Sequence, residues 1–362
     1  MKIDTTCVQG AKDKNNLTGS ISVPIYQSAA FAHPAVGKST GYDYSRTQNP
    51  TREALENVVA KLKCAAGAIA FSTGMAAMAT LMELFSPGSH IIATDDLYGG
   101  SIRLFDKISA KNGLVFDYVD TNDIPAIKSK IKKNTKAIFI ETPTNPMMKV
   151  TDIAKVAELA ENTDILLIVD NTFLTPYLQQ PLTLGADIVV HSGTKYLGGH
   201  NDTLAGFLAV ANAEIGEKLR FIHKTIGACL SPFDSFLIIR GIKTLAIRME
   251  KAQENAKALA DWLPRQKKVT KVYYPGTGAM ISFSVESEHI ACQIIESVKI
   301  VMFAESLGGV ETLITYPMLQ THADVPNEDR LARGIDEKLL RMSVGIENVE
   351  DLIEDLEKAI NN

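Results

Sequence analysis

IVVHSGTKYLGGHND, residues 188–202, is the stretch on which the reading of this chain turns. Ile188, Val189 and Val190 are β-branched and apolar, a composition that suits a strand buried on both faces. Beyond His191 come hydroxyl, glycine, hydroxyl and lysine: Ser192, Gly193, Thr194 and Lys195. A lysine at the carboxyl end of a buried strand differs from an ordinary solvated lysine, because ligands of open α/β sheets bind outside those ends.

Working outward, short apolar runs recur at Ala68–Phe71, His90–Ala93, Leu114–Val119, Ala137–Ile140, Ile165–Val169 and Phe207–Val210. Segments of helical period separate them, at Ala76–Phe85, Ile102–Asn112, Ile124–Ile131 and Ile153–Glu161. This alternation predicts a large α/β lobe with a seven-stranded, mostly parallel sheet. Ahead of it, Asn49-Pro50-Thr51 opens a helix with Leu55, Val58, Val59 and Leu62 on one face, and Thr51 is read as its cap. The first fifty residues are polar and irregular, which suggests an arm laid over something else.

Past residue 230 the texture changes. Asp234–Leu263 reads as one long helix, with Arg240, Lys243, Arg248 and Lys251 on its polar side. Strand-like pieces follow at Val269–Tyr274, Met280–Val285 and Ile300–Phe303, then a closing helix at Val349–Ile360. The division expected is an arm over 1–50, an α/β domain over 51–230 and a smaller α+β domain over 231–362. A chain of 362 residues exceeds the size at which a single core stops growing, in keeping with two lobes.

Two more strand ends carry distinctive residues. Ser72-Thr73-Gly74-Met75 joins the first strand to a helix; Gly74 permits close backbone approach, and the free N–H groups of a helix start favour a phosphate. The run Ile165–Val169 ends in Asp170, either a cap for the next segment or a partner that keeps a pyridinium nitrogen protonated. With Ser192 and Thr194 as donors to phosphate oxygens and Lys195 in reach of an aldehyde carbon, the three strand ends describe a pyridoxal-phosphate site with Lys195 as the Schiff-base lysine. The chain contains no GxxxxGK[ST], no GxGxxG after a strand, no GxSxG and no HExxH. His191 and His200 lack a third partner nearby in sequence, so no metal is expected.

Bulk properties narrow the class. A formal charge of −5, with 46% hydrophobic and 22% charged residues, gives no reason to expect nucleic acid or an anionic membrane as partner. No apolar run reaches the roughly 18 residues of a membrane span. Cys7, Cys64, Cys229 and Cys292 are scattered without CxxC spacing, which reads as buried free thiols in a reducing cytoplasm. The N-terminus, Met1–Thr6, lacks the apolar stretch of a signal peptide.

The segment 191–202 closely resembles the lysine signature of the Cys/Met-metabolism PLP-dependent family, which includes cystathionine γ-synthase, cystathionine lyases, methionine γ-lyase and O-acylhomoserine sulfhydrylases. The likeness continues through YSRTQNPT (44–51), STGMA (72–76), DLYGG (96–100), ETPTNP (141–146), ESLGG (305–309) and LRMSVGIE (340–347). It implies a type I PLP-dependent transferase fold, with active sites shared between subunits of a homo-oligomer, usually a dimer of dimers. By that resemblance Gly74, Met75, Ser192 and Thr194 bind the cofactor phosphate, and Tyr44 and Arg46 reach the phosphate of the neighbouring subunit. Tyr98 stacks on the ring and serves catalysis with Lys195, Asn145 contacts the ring's hydroxyl side, and Asp170 meets its nitrogen. Arg341 clamps the substrate α-carboxylate, helped by Ser306, and Glu305 matches the branch that acts at Cγ. Gly100 stands where methionine γ-lyases carry cysteine, and the connection over 273–283 is shorter than is usual. Together these imply γ-replacement on an O-acylhomoserine with cysteine or sulfide, the alternative being a cystathionine β- or γ-lyase.

Overall fold

The computed structural model describes residues 1–12, 16–323 and 325–361. All seven apolar runs form strands: β1 (Gly67–Phe71), β2 (His90–Thr94), β3 (Val115–Val119), β4 (Thr135–Glu141), β5 (Leu166–Asp170), β6 (Ile188–Ser192) and β7 (Gly206–Val210). They build one sheet in the order β1-β7-β6-β5-β4-β2-β3. From β3 to β6 the pairs are parallel, and β7 runs antiparallel between β6 and β1.

Both faces are covered, which is why the strands read as continuous apolar runs rather than alternating ones. On one face Ile69, Phe71, Ala93 and Phe139 pack with Ala77, Leu81, Phe105 and Leu219, all buried. On the other, Ile92, Ile138 and Val169 meet Ile127, Ile153 and Val156. Leu55, Val58, Val59 and Leu62 of the helix Pro50–Leu62 continue this second layer over Ala68, Ala70 and Val189. The cap of that helix is Asn49, whose side chain accepts from the Thr51 and Arg52 N–H groups. Thr51, expected to cap, instead donates its hydroxyl to the Pro24 carbonyl and accepts from Tyr26 N–H, so it fastens the arm.

A second sheet holds β8 (Val269–Tyr273), β9 (Met280–Val285), β10 (Met302–Phe303), β11 (Leu313–Thr315) and β12 (Leu339–Ser343), in the order β10-β11-β12-β9-β8. The last two to be placed, β11 and β12, were not foreseen. β11 has three residues, and Arg341 interrupts the apolar run of β12.

The single helix expected over 234–263 is two, Pro232–Ile242 and Leu245–Trp262. The break follows from packing. A Cβ on Gly241 would lie 2.2 Å from the Gly198 carbonyl oxygen, so the first helix ends pressed on the loop that follows Lys195. Arg248, expected on a polar face, is buried at 6% exposure and donates to Gly241 O and Tyr196 O, both at 2.8 Å. It thereby satisfies a helix-end carbonyl and props the lysine loop at once. Within the first fifty residues, Ile3–Gln9 is helical, while the described residues of 16–48 form only isolated bridges such as Ala30–Tyr44. Among the described residues no helix is long and apolar enough to cross a membrane.

Candidate active site

At the carboxyl ends of β4, β5 and β6 the register sets Glu141 beside Asp170, and Asp170 beside Val190. Here a cavity of about 330 Å³ opens, closed from the other side by the second sheet and by residues 305–307. Gly74, Met75, Ser192, Thr194, Lys195 and Asp170 line it from the large sheet. Tyr98 and Asn145 line it from the segments that follow β2 and β4, and Glu305, Ser306 and Arg341 from the facing side. Of the expected site residues only Tyr44 and Arg46 lie elsewhere.

One end of the cavity suits an anion. Thr73 caps the helix Gly74–Met82 by accepting from Ala76 N–H at 2.9 Å, which leaves the N–H groups of the first turn for another acceptor. Gly74 sits so close to β6 that a Cβ would stand 3.2 Å from Ser192 Cβ. The Ser192 hydroxyl is thus beside the helix start. The Thr194 hydroxyl is engaged with the Ala205 backbone, accepting from its N–H at 3.0 Å.

A carboxylate pair occupies the floor. Asp170 Oδ1 accepts from Thr172 N–H at 2.9 Å and from Thr172 Oγ1 at 2.6 Å, leaving Oδ2 for a donor in the cavity. Burial pushes the Asp170 carboxyl up, opposed by the Thr172 bonds and by the Lys63 ammonium. Glu141 is pushed well above the usual carboxylate range, first by burial and then by Asp170 and Asp96. At Glu141 the Tyr98 N–H, donating at 3.0 Å, and the Arg341 charge oppose that rise.

Lys195 follows the β6 end on a tight loop. Its Nζ donates to Ser306 Oγ at 2.8 Å, and burial together with the Arg341 charge lowers its pKa to about 8. Ser306 is held at φ 132°, a strained region for a residue with a Cβ, and its carbonyl accepts from Arg341 Nη2 at 3.0 Å. Arg341, 1% exposed on β12, also donates to Asn145 Oδ1 at 2.9 Å and to Thr315 Oγ1 at 3.1 Å. No carboxylate pairs with it among the described salt bridges, and its Nε has no partner. A buried guanidinium satisfied only by neutral acceptors is ready for an anionic guest. In the cofactor-free protein the Lys195 amine is half neutral near pH 8. Its rate of capture by an aldehyde therefore rises with pH and levels off above 8, about two units before an ordinary lysine. Stopped-flow absorbance across pH 6–11 with pyridoxal phosphate checks this, and a rate still climbing steeply at pH 10 contradicts it.

The Tyr98 ring is 41% exposed at the mouth. A Cβ on Gly100 would fall 2.4 Å from its Cε1, so the glycine is what lets the ring lie where it does. Gly100→Ala should displace the ring and lower kcat/KM by about tenfold, an effect of the size expected for a disturbed aromatic contact. Steady-state kinetics reads the loss, and unaltered kcat/KM contradicts the packing argument.

Arg46 donates to the Lys224 carbonyl and lies over the Tyr44 ring at 5.5 Å, on the arm and away from this chain's own cavity. Sequence reasoning gave no role to Glu141, Thr172 or Ser101, all of which line the cavity. Glu141 opens the ETPTNP motif, and its pairing with Asp170 exists only once β4 and β5 are in register. Among the described residues no cluster could hold a metal ion.

A model of the Cys/Met metabolism PLP-dependent enzyme family matches residues 4–361. The chain is 50% identical over 99% of its length to cystathionine γ-synthase/O-acetylhomoserine (thiol)-lyase of Bacillus subtilis, covering 96% of that protein. It is 47% identical to a cystathionine γ-lyase of the same organism, with 100% of both chains covered. Among solved structures, cystathionine γ-lyase from Lactobacillus plantarum complexed with L-serine superposes with a TM-score of 0.98 at 42% identity, covering 100% of this chain and 99% of that one. Cystathionine γ-synthase from Xanthomonas oryzae pv. oryzae in complex with cystathionine does so at 0.97 and 37%, covering 100% and 98%. The cavity fits the cofactor of that family on its own geometry. It offers an anion-binding helix start beside Ser192, a buried carboxylate oxygen left without a donor, and an amine of lowered pKa.

Proposed function

Since the chain belongs to the Cys/Met-metabolism PLP-dependent enzymes, a family of trans-sulfuration catalysts, we propose that it carries out γ-replacement on an O-acylhomoserine, with cysteine giving cystathionine or sulfide giving homocysteine. The Glu305 carboxylate, which lines the cavity and whose charge bears on both Lys195 and Arg341, supports a trans-sulfuration site, and the 50% identical cystathionine γ-synthase/O-acetylhomoserine (thiol)-lyase favours replacement over cleavage. An acid beyond the lysine suits the ammonium group of an incoming amino-acid thiol.

Bound in the cavity, pyridoxal phosphate supplies an aldehyde for the substrate amine and a ring that draws electrons from its Cα. Its phosphate would rest on the Gly74 and Met75 N–H groups and the Ser192 and Thr194 hydroxyls, with Tyr98 over the ring and Asn145 beside it. Asp170 would hold the ring nitrogen through Oδ2. The Arg341 fork takes the substrate α-carboxylate in a planar, bidentate contact, with Ser306 bracing it. Lys195 Nζ would take the proton from Cα, release it and, neutral again, take one from Cβ, and its lowered pKa keeps a neutral fraction available near pH 7. The acyloxy group leaves Cγ with its electron pair as a carboxylate, the thiol sulfur bonds at Cγ as its S–H bond breaks and that proton is released, and protons return to Cβ and Cα.

The second reading is a lyase that cleaves cystathionine at Cβ or Cγ. The same Glu305 carboxylate would serve cystathionine's distal ammonium, and lyase names stand among the relatives. Mass spectrometry of two parallel reactions separates them. Cystathionine or homocysteine from O-acetyl- or O-succinylhomoserine, with little turnover of cystathionine alone, supports γ-replacement. Rapid cleavage of cystathionine alone overturns it, and pyruvate or 2-oxobutyrate then identifies the carbon.

A homo-oligomer with shared sites, a dimer of dimers, completes the proposal. Tyr44 and Arg46, outside their own chain's cavity, would reach the phosphate of a neighbouring copy. The cytoplasm is the proposed compartment, in keeping with four free cysteines, of which, against the expected burial, only Cys7 is buried, Cys229 and Cys292 are half-buried and Cys64 is exposed past the end of its helix.

A further inference from the structure

Lys63 follows the helix Pro50–Leu62 and has 0% exposure. Long charged side chains are almost never fully buried without a partner of opposite charge. Among the described residues no salt bridge involves Lys63, and the side-chain hydrogen-bond partner of its Nζ is His191 Nδ1 at 3.4 Å. His191 is also at 0% exposure, and its Nε2 has no hydrogen-bond partner. Successive residues of a strand point to opposite faces, so Ser192 faces the cavity and His191 faces away from it, toward the layer that holds the helix Pro50–Leu62. A buried cation and a buried imidazole therefore sit on the far side of the sheet from the cofactor cavity.

The charged groups around the carboxylate floor are few. Lys63 is the cation acting on Asp170, and Asp170 is the anion acting on Lys63. From β4, Glu141 stands opposite Asp170 in the register and is itself influenced by Asp96 and Arg341. From β6, His191 feels Lys63 and is kept neutral by burial, so its Nδ1 can accept from the ammonium. Two carboxyls paired across adjacent strands cannot both ionise at low cost, and a buried cation on one side decides which of them does.

We propose that Lys63 is a positioning residue: seated on His191 across the sheet, it holds Asp170 ionised toward the cavity while Glu141 takes the proton. This rests on Asp170 facing the cofactor nitrogen. An ionised Asp170 binds a protonated ring nitrogen, and that contact is lost as pH falls and Asp170 gains a proton. The Lys63 pKa, lowered to about 7 by burial, leaves it cationic throughout that acid range. Removing its charge raises the Asp170 pKa, so cofactor binding should fail at a higher pH.

The test is cofactor retention by the holoenzyme after dialysis from pH 4 to 8, read from visible absorbance, with folding followed by far-UV circular dichroism. Lys63→Met removes the charge and keeps an unbranched apolar chain. The acid midpoint of retention is expected to rise by about one pH unit, a tenfold loss of affinity at a fixed pH on that limb, while the protein remains folded. Asp170→Asn should weaken retention at every pH, and Lys63→Met added to it should have no further effect. An unshifted midpoint in Lys63→Met overturns the proposal, as does a shift that persists undiminished on the Asp170→Asn background. Retention unchanged by Asp170→Asn alone overturns the nitrogen contact itself, and the role of Lys63 with it. Should Lys63→Met fail to fold, the double variant decides. A folded double variant means that the lost charge had been balancing Asp170, and continued failure to fold overturns the coupling.

Discussion

Lys195→Ala abolishes the visible absorbance of the dialysed, cofactor-loaded protein and lowers turnover by on the order of 10⁴-fold, the upper range for losing a positioned acid–base group. The argument is geometric. Lys195 is the amine set in the cavity by Ser306 Oγ at 2.8 Å, and burial beside Arg341 lowers its pKa to about 8. Lys63, the other buried lysine near the floor, contacts His191 on the opposite side of the sheet and cannot substitute for it. The phosphate cradle proposed at Gly74 and Ser192 does not depend on the lysine, so the variant should still bind the cofactor, reversibly and without the imine band. Absorbance spectra taken after exhaustive dialysis without amino acids check this. A variant that stays yellow under those conditions would sink the assignment of Lys195.

Arg341→Ala should lower kcat/KM by about 10²–10³-fold, from two charge-assisted hydrogen bonds of roughly 1.5–2 kcal/mol each. Cofactor affinity should change only a few-fold. Arg341 is 1% exposed, and its fork is preset by Asn145 Oδ1, the Ser306 carbonyl and Thr315 Oγ1, so little ordering remains for the substrate to induce. Burial lowers its pKa to about 10, which leaves it cationic at neutral pH. Arg341→Lys keeps a charge but loses the planar fork and should recover little. Parallel titrations with substrate and with pyridoxal phosphate separate the two roles. Weak cofactor binding with normal substrate binding would refute the carboxylate assignment.

Much of the large sheet was readable in advance because its strands are buried on both faces, and burial leaves a run of branched apolar residues in the sequence. The second sheet was less so. β11 is too short to show a period, and Arg341 breaks the apolar pattern of β12, although it is buried through hydrogen bonds rather than apolar contact. Arg248 misled in the same way: charge suggested a solvated face, whereas its guanidinium caps the buried Gly241 and Tyr196 carbonyls. The end of the helix at Ile242 depends on Gly241 meeting Gly198, a contact between distant segments that no local propensity encodes.

The sequence by itself determined the strand ends that carry Gly74, Asp170, Ser192 and Lys195, because each lies within a few residues of the end of a buried apolar run. It also determined the family, through motifs spread over nearly the whole chain. Only the tertiary structure decided which groups act on one another. Register placed Glu141 against Asp170, the strand's alternation sent His191 to Lys63 on the reverse face, and β12 carried Arg341 onto Asn145 and Ser306. The physical reason is that a charge buried in a protein is governed by neighbours within a few ångströms, and those neighbours come from segments far apart along the chain.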